Sequence, residues 1–282
     1  RWLSDWSSDV CSSDLLFVFG AAHAVKVENW RPFLPNGFSG VLTGAAIVFF
    51  TYIGFDSVST AAEECKHPQR DLPVGIIATL VVCAVLYIAV ALVLTGVADW
   101  KTLNNAAPVV NVLRALGLDT VRSLVGIGAL LGMVSSLLVF QYGQARVWFA
   151  MSRDGLLPPA FSKVHPVHKT PHVSTWVAGL AVGIPAGVWD VGTFADLANI
   201  GTLFAFIAVS VGVLVLRKTQ PNRPRGFRVP GAPWLPLFSI ACCLLLMLAL
   251  PLQTWVAFLI WLLVGLLIYF PFSRRHSLLA RE

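Results

Sequence analysis

Charge is scarce in this sequence. Lysine, arginine, aspartate and glutamate make up 12% of the 282 residues, about half the share usual in a soluble domain. Apolar residues reach 57%, more than a soluble core of this length has use for. Cysteine is thin as well. Cys11, Cys65, Cys83, Cys242 and Cys243 form no disulfide framework, and the adjacent pair Cys242 and Cys243 reads as small apolar filler. Catalytic signatures are missing: there is no GxSxG, no HExxH and no pair of carboxylates at helical spacing inside an apolar block, which argues against an intramembrane enzyme. His165, His168 and His172 lie in HPVHKTPH. There Pro166 and Pro171 bar a regular helix, and no cysteine or carboxylate stands near enough to complete a ligand set, so neither a metal nor any other cofactor is expected.

What the chain does hold is a series of apolar blocks. They run over residues 41–62, 74–97, 123–150, 173–189 and 194–216, followed by the pair Trp234 to Leu250 and Trp255 to Phe272, joined at Pro251. Each is about the length of a membrane span, so the expectation is an all-α integral membrane protein with seven spans. Residues 15–25 are apolar but too short to cross and are read as the remnant of a further helix, a partial span. Residues 1–14 repeat Ser-Asp pairs without apolar period or signal-peptide layout, and resemble sequencing-adapter read-through or a disordered tail. They are set aside from fold reasoning.

The net charge of +6 could suggest nucleic acid as a partner, but its distribution says otherwise. Lys66, Arg70, Arg146, Arg153, Lys163, Lys169, Arg217, Lys218, Arg223, Arg225, Arg228, Arg274, Arg275 and Arg281 fall in loops after the first, third and fifth spans and in the tail at 273–282. Only Lys26, Arg31, Lys101, Arg114 and Arg122 fall on the other side. This is the positive-inside pattern. It predicts a multi-pass protein of the cytoplasmic membrane with its C-terminus in the cytoplasm, whose partner is the lipid bilayer and not nucleic acid.

The first block carries the candidate site. In Val41 to Glu64, VLTGAAIVFFTYIGFDSVSTAAEE, Gly54 lowers the cost of unwinding a helix. Two positions later Asp56 would cost about 3 kcal/mol or more facing lipid at mid-depth. Two readings stand. In one, the helix breaks near Gly54 and lines a cavity with its released backbone groups. In the other, the span ends early, Asp56 lies near the interface, and Ser57, Ser59 and Thr60 bond back to the helix. The loop that follows, Glu63 to Pro73, holds Pro68 and Pro73, expected to stop a helix from running through it. In the third block Gly128 and Gly132 stand four apart and suit close helix packing, while the Ser135 and Ser136 hydroxyls either bond their own helix or face a substrate.

FFTYIGFDSVSTAAEE resembles the sixth-helix signature of amino acid permeases in the amino acid-polyamine-organocation superfamily, closest to its bacterial cationic amino acid transporter branch. RVWFAMSRDGLLP (146–158), DLANIGTLFAF (196–206) and GFRVPGAPWLP (226–236) are similar to further stretches of the same permeases, the last two at the tenth helix and the start of the eleventh. The resemblance implies a fold of two inverted five-helix repeats, of which 41–216 would be the second, with 234–272 as two accessory helices. Helices one to four and most of five would then have no counterpart in this chain, and the chain alone is expected to be inactive. It also implies alternating-access transport of an amino acid whose ammonium meets carbonyls at Phe50, Thr51 and Ile53, released at Gly54. Phe50 or Phe55 would gate, Ser135 or Ser136 would line the pocket, and Asp56 would be the candidate for carrying a coupling proton. The competing reading is a seven-span receptor or channel without transport activity.

Overall fold

A computed structural model of the chain describes residues 13–55, 59, 65, 67–105, 107–188, 191–222 and 224–277, and every regular element among them is helical. In chain order these are α1 (Ser13–Ala24), α2 (Gly37–Tyr52), α3 (Pro68–Val97), α4 (Pro108–Ala115), α5 (Asp119–Arg153), α6 (His172–Ala186), α7 (Val191–Thr219), α8 (Trp234–Leu248) and α9 (Leu252–Ile268), the last continuing into a π turn over Tyr269–Ser273. Among the described residues four helices are long and apolar enough to cross a membrane: α3, α5, α7 and α9 with its π turn. α2, α6 and α8 are apolar but shorter, at 16, 15 and 15 residues. The blocks at 41–62 and 173–189 overlap the first two of these helices, and the block at 234–250 contains the third.

The long helices turn apolar side chains outward. On α3, Val81, Val82, Val85 and Ile88 are each more than half exposed, as are Leu130, Met133 and Leu137 on α5. In water such continuous apolar faces would drive association, whereas in lipid they are at no disadvantage. The protein is an all-α membrane protein.

One expectation is overturned at α3. Pro73 does not stop the helix, which starts at Pro68 and runs through Pro73 to Val97. His67 opens it, its carbonyl accepting the N–H groups of Arg70 and Asp71 at 3.1 and 2.9 Å. Pro68 takes the first position, where a missing N–H has no cost. Pro73 then stands early enough in the helix that only the acceptor one turn before it, at Gln69, loses its helical donor.

Contacts divide the chain into two compact units. One comprises the described residues within Arg1–Gly37 and Ile77–Phe140, the other those within Phe38–Ile76 and from Gln141 on. The first is built on Phe17, Ala21, Val93, Val112, Leu113 and Val125, from α1, α3, α4 and α5. Gly96 closes it, since a Cβ there would stand 2.7 Å from Val25 Cγ1. Its carbonyl accepts from the Lys26 N–H at 2.9 Å and the Asn29 amide at 2.7 Å. Gly128, expected to pack closely, does so within this unit: a Cβ would lie 2.9 Å from the Cβ of Ser13.

The second unit is built on Ala46, Ile200, Leu203, Cys243, Met247, Leu250 and Phe258, from α2, α7, α8, α9 and the turn between the last two. The RDGLLP stretch forms a knot at its edge. α5 ends with the Leu156 N–H on the Met151 carbonyl at 2.8 Å and Gly155 at φ +80°, the left-handed helix stop that glycine favours. Ser152 Oγ then donates to the Pro158 carbonyl and Ser273 Oγ to the Leu156 carbonyl, at 2.7 and 2.8 Å. These bonds fasten the loop to the end of α9.

Candidate functional site

α2 is a run of apolar residues that ends inside its apolar block, not at a polar boundary. Its last turn is tightened twice. Thr51 Oγ1 donates back to the Val48 carbonyl at 2.7 Å, and the Ile53 N–H reaches the Phe50 carbonyl at 3.2 Å, three residues back instead of four. After Tyr52 the chain leaves the helix through a turn at Ile53, Gly54 and Phe55. Gly54 has φ +128°, a region that residues with a Cβ rarely adopt.

Opposite this end lies α7. Asn199 is fully buried, and its amide donates to the Ala46 carbonyl of α2 at 3.1 Å. Its Oδ1 has no partner among the described residues, so the amide costs stability on one side while making its bond on the other. Two turns on, Phe206 receives the ring of Phe49 edge-on at 6.2 Å and that of Phe55 at 5.5 Å. α7 thus touches α2 before its end through Asn199 and Phe206, and the turn beyond it through Phe206. Such contacts fix the position of a short irregular segment that few bonds of its own would hold.

The expected site residues fall as follows. Phe50 and Thr51 are exposed on the last turn of α2, while Ile53, Gly54 and Phe55 are partly buried in the turn. The second unit therefore brings these five together. Asp56, Ser57 and Thr60 lie outside the described residues. Ser135 and Ser136 belong to α5 within the first unit. There Ser135 Oγ donates to the Leu131 carbonyl of its own helix at 2.8 Å, and Ser136 is exposed. Sequence reasoning gave no role to Asn199 or Phe206. The available signal was a lone amide among apolar residues, since from Leu197 to Phe206 only Asn199 and Thr202 are polar.

The three histidines do meet. The His165 ring lies tilted against that of His168 at 4.8 Å and meets His172 edge-on at 5.4 Å, while its Nδ1 accepts the N–H groups of Val167 and His168 at 3.2 Å each. Among the described residues no group of three or more histidine, cysteine or carboxylate side chains is arranged to hold a metal.

Comparison with known proteins completes the description. A family model described as amino acid permease matches residues 15–270. The chain is 50% identical over 265 residues to the methylthioribose transporter of Bacillus subtilis (strain 168), covering 94% of this chain and 58% of that protein. It is 52% identical over 264 residues to the branched-chain amino acid permease BcaP of the same organism, covering 93% and 57%. Over 203 residues it is 44% identical to cationic amino acid transporter 9, chloroplastic, of Arabidopsis thaliana, covering 72% and 36%. The chain thus spans a little over half the length of the two bacterial relatives.

Proposed function

The chain belongs to the amino acid permease family, a family of transporters and not of enzymes, and from that premise we propose that it acts in secondary active transport of an amino acid across the cytoplasmic membrane by alternating access. In this reading 41–216 is the second of two inverted repeats, the chain makes seven spans, and its C-terminus lies in the cytoplasm. The observation that carries the reading is the end of α2: a helix that stops within its apolar block, at a glycine with φ +128°, braced from α7 by Asn199 and Phe206.

The chemistry follows from that geometry. The last carbonyls of α2 carry the negative end of the helix dipole and suit an ammonium. The Phe50 carbonyl already accepts the Ile53 N–H, but a carbonyl has two lone pairs and can accept a second donor. Thr51 and Ile53 would add their carbonyls beside it. Of the two gate candidates, Phe55 rests on Phe206 whereas Phe50 is exposed at 42%. Phe50 therefore has the freedom to swing over a bound side chain and Phe55 forms the floor. Asp56 would take the coupling proton.

The relative named for methylthioribose favours a second reading, because that ligand has no ammonium for these carbonyls to receive. Because the chain alone is expected to be inactive, uptake of radiolabelled leucine, lysine and methylthioribose by proteoliposomes of a permease that joins these residues to a first inverted repeat decides between them. Saturable amino acid uptake that excess methylthioribose does not inhibit is the expected result. Uptake of the thio-sugar alone would overturn the amino acid reading, and unsaturable flux of all three would point to a channel.

A further inference from the structure

The loop that follows α7 and the helix end frame an open cavity of about 440 Å³, lined by Arg217, Arg225 and Arg228 together with Pro221, Val229 and Gly231. Among the described residues, three guanidiniums and no carboxylate line it. Arg225 is spent on structure, its two terminal nitrogens donating to the carbonyls of Leu216, Gln220 and Pro221, where it caps the end of α7. Arg217 is held by one bond, from Nη2 to the Val229 carbonyl at 2.9 Å. Its remaining donors, and those of the exposed Arg228, meet no carboxylate among the described residues. Cations gathered in a concave site without counter-charge raise the local potential, and a guanidinium fork matches a phosphate diester in geometry as well as in sign.

The surroundings indicate where such a phosphate comes from. Val215 and Leu216 are exposed on the last turns of α7, directly before the cavity. Just beyond it α8 opens with Trp234 and Phe238, 77% and 66% exposed. A tryptophan at the head of an apolar helix marks headgroup depth. An anion seated among the arginines thus has apolar helix surface beside it on which acyl chains can lie. Topology alone would need only the number of positive charges in this loop, not a cavity with one arginine pinned by a loop carbonyl.

We propose that the cavity between the end of α7 and the start of α8 binds the headgroup phosphate of an anionic phospholipid through Arg217 and Arg228. The site is independent of the transport reading. It is tested with the 282-residue chain in phosphatidylcholine nanodiscs carrying fluorescent phosphatidylglycerol or fluorescent phosphatidylcholine as probe. Retention of phosphatidylglycerol over phosphatidylcholine is expected at roughly tenfold, about 1.4 kcal/mol, since arginines near an anionic surface favour charged lipid. The pair Arg217→Gln and Arg228→Gln should bring that ratio close to one, while Lys163→Gln with Lys169→Gln, which removes equal charge from another loop, should leave it unchanged. If the glutamine pair does not elute as a monodisperse helical protein, Arg217→Lys with Arg228→Lys keeps the charge, loses the forks, and should still lower the ratio severalfold. Three outcomes would each overturn the proposal: no preference in the unaltered chain, equal loss in both loop variants, or complete displacement of the lipid by millimolar inorganic phosphate.

Discussion

Gly54 and Asn199 act on the same short segment, one by permitting its backbone and the other by holding what precedes it. At φ +128° a side chain at position 54 would be strained by about 1–2 kcal/mol, and leucine also favours continued helix by nearly 1 kcal/mol over glycine. In a permease that joins these residues to a first inverted repeat, Gly54→Leu is therefore expected to cut amino acid uptake per folded molecule to about a tenth or less while folded yield stays near normal, because the cost falls on the local turn. Gly96→Leu is the packing control: its Cβ would meet Val25 at 2.7 Å, so the amount of folded protein should fall in proportion to activity. A well-folded Gly54→Leu protein with normal uptake would remove the site assignment for Phe50, Thr51, Ile53 and Asp56. Asn199→Leu asks the complementary question. It deletes a bond to the Ala46 carbonyl, worth about 0.6–2 kcal/mol between membrane helices, but also an Oδ1 that lacks a partner among the described residues, whose burial costs about 1–3 kcal/mol. Thermal stability should thus stay level or rise, while uptake falls about tenfold as α2 loses its register on α7. Parallel loss of melting temperature and uptake would instead make Asn199 a packing residue only.

At the scale of elements, the apolar blocks were legible because membrane depth demands long uninterrupted runs, and a glycine in such a run advertises a weak point. Helix ends were less legible. Pro73 looked like a stop, yet a proline in the early turns removes a single donor and leaves the rest of the ladder intact, so α3 begins at Pro68. The short helix α4 (Pro108–Ala115) escaped notice because it is too brief to show a span and lies among polar residues. It is held by tertiary contacts, through the buried Val112 and Leu113. The brace on α2 was unreadable for a similar reason: Asn199 and Ala46 are 153 residues apart, and no local pattern links them. The C-terminal stop of α5 was legible in principle, since Gly155 follows the last helical residues. Its φ of +80° makes a concrete expectation: Gly155→Val should destabilise the protein by roughly 1–2 kcal/mol, read as a lower melting temperature. Gly126→Val, a helical glycine with nothing within 4 Å of its Cβ position, should change it little. Equal effects would mean that the left-handed stop contributes nothing beyond loss of a small residue.

For the molecule as a whole, the proposed transport needs a driving ion. A sodium site needs several oxygen ligands in one place, and among the described residues around the end of α2 the side chains are mostly apolar, with Thr51 bonded back to its own helix. A proton needs one carboxylate that changes charge as it passes between two water-accessible states, and Asp56 follows the break by two residues. Proton coupling is thus the expectation for a reconstituted permease that joins these residues to a first inverted repeat. A protonophore should abolish accumulation, replacement of external sodium by potassium should leave it intact, and uptake should fall as external pH is raised. Asp56→Asn sharpens the test, because an amide keeps the size and hydrogen-bonding of the side chain but holds no transferable proton. The variant should still exchange internal for external amino acid, yet no longer accumulate it against a gradient. Unchanged accumulation by Asp56→Asn would move the coupling site away from this residue. Accumulation that required sodium and ignored the protonophore would replace the proton as the coupled ion.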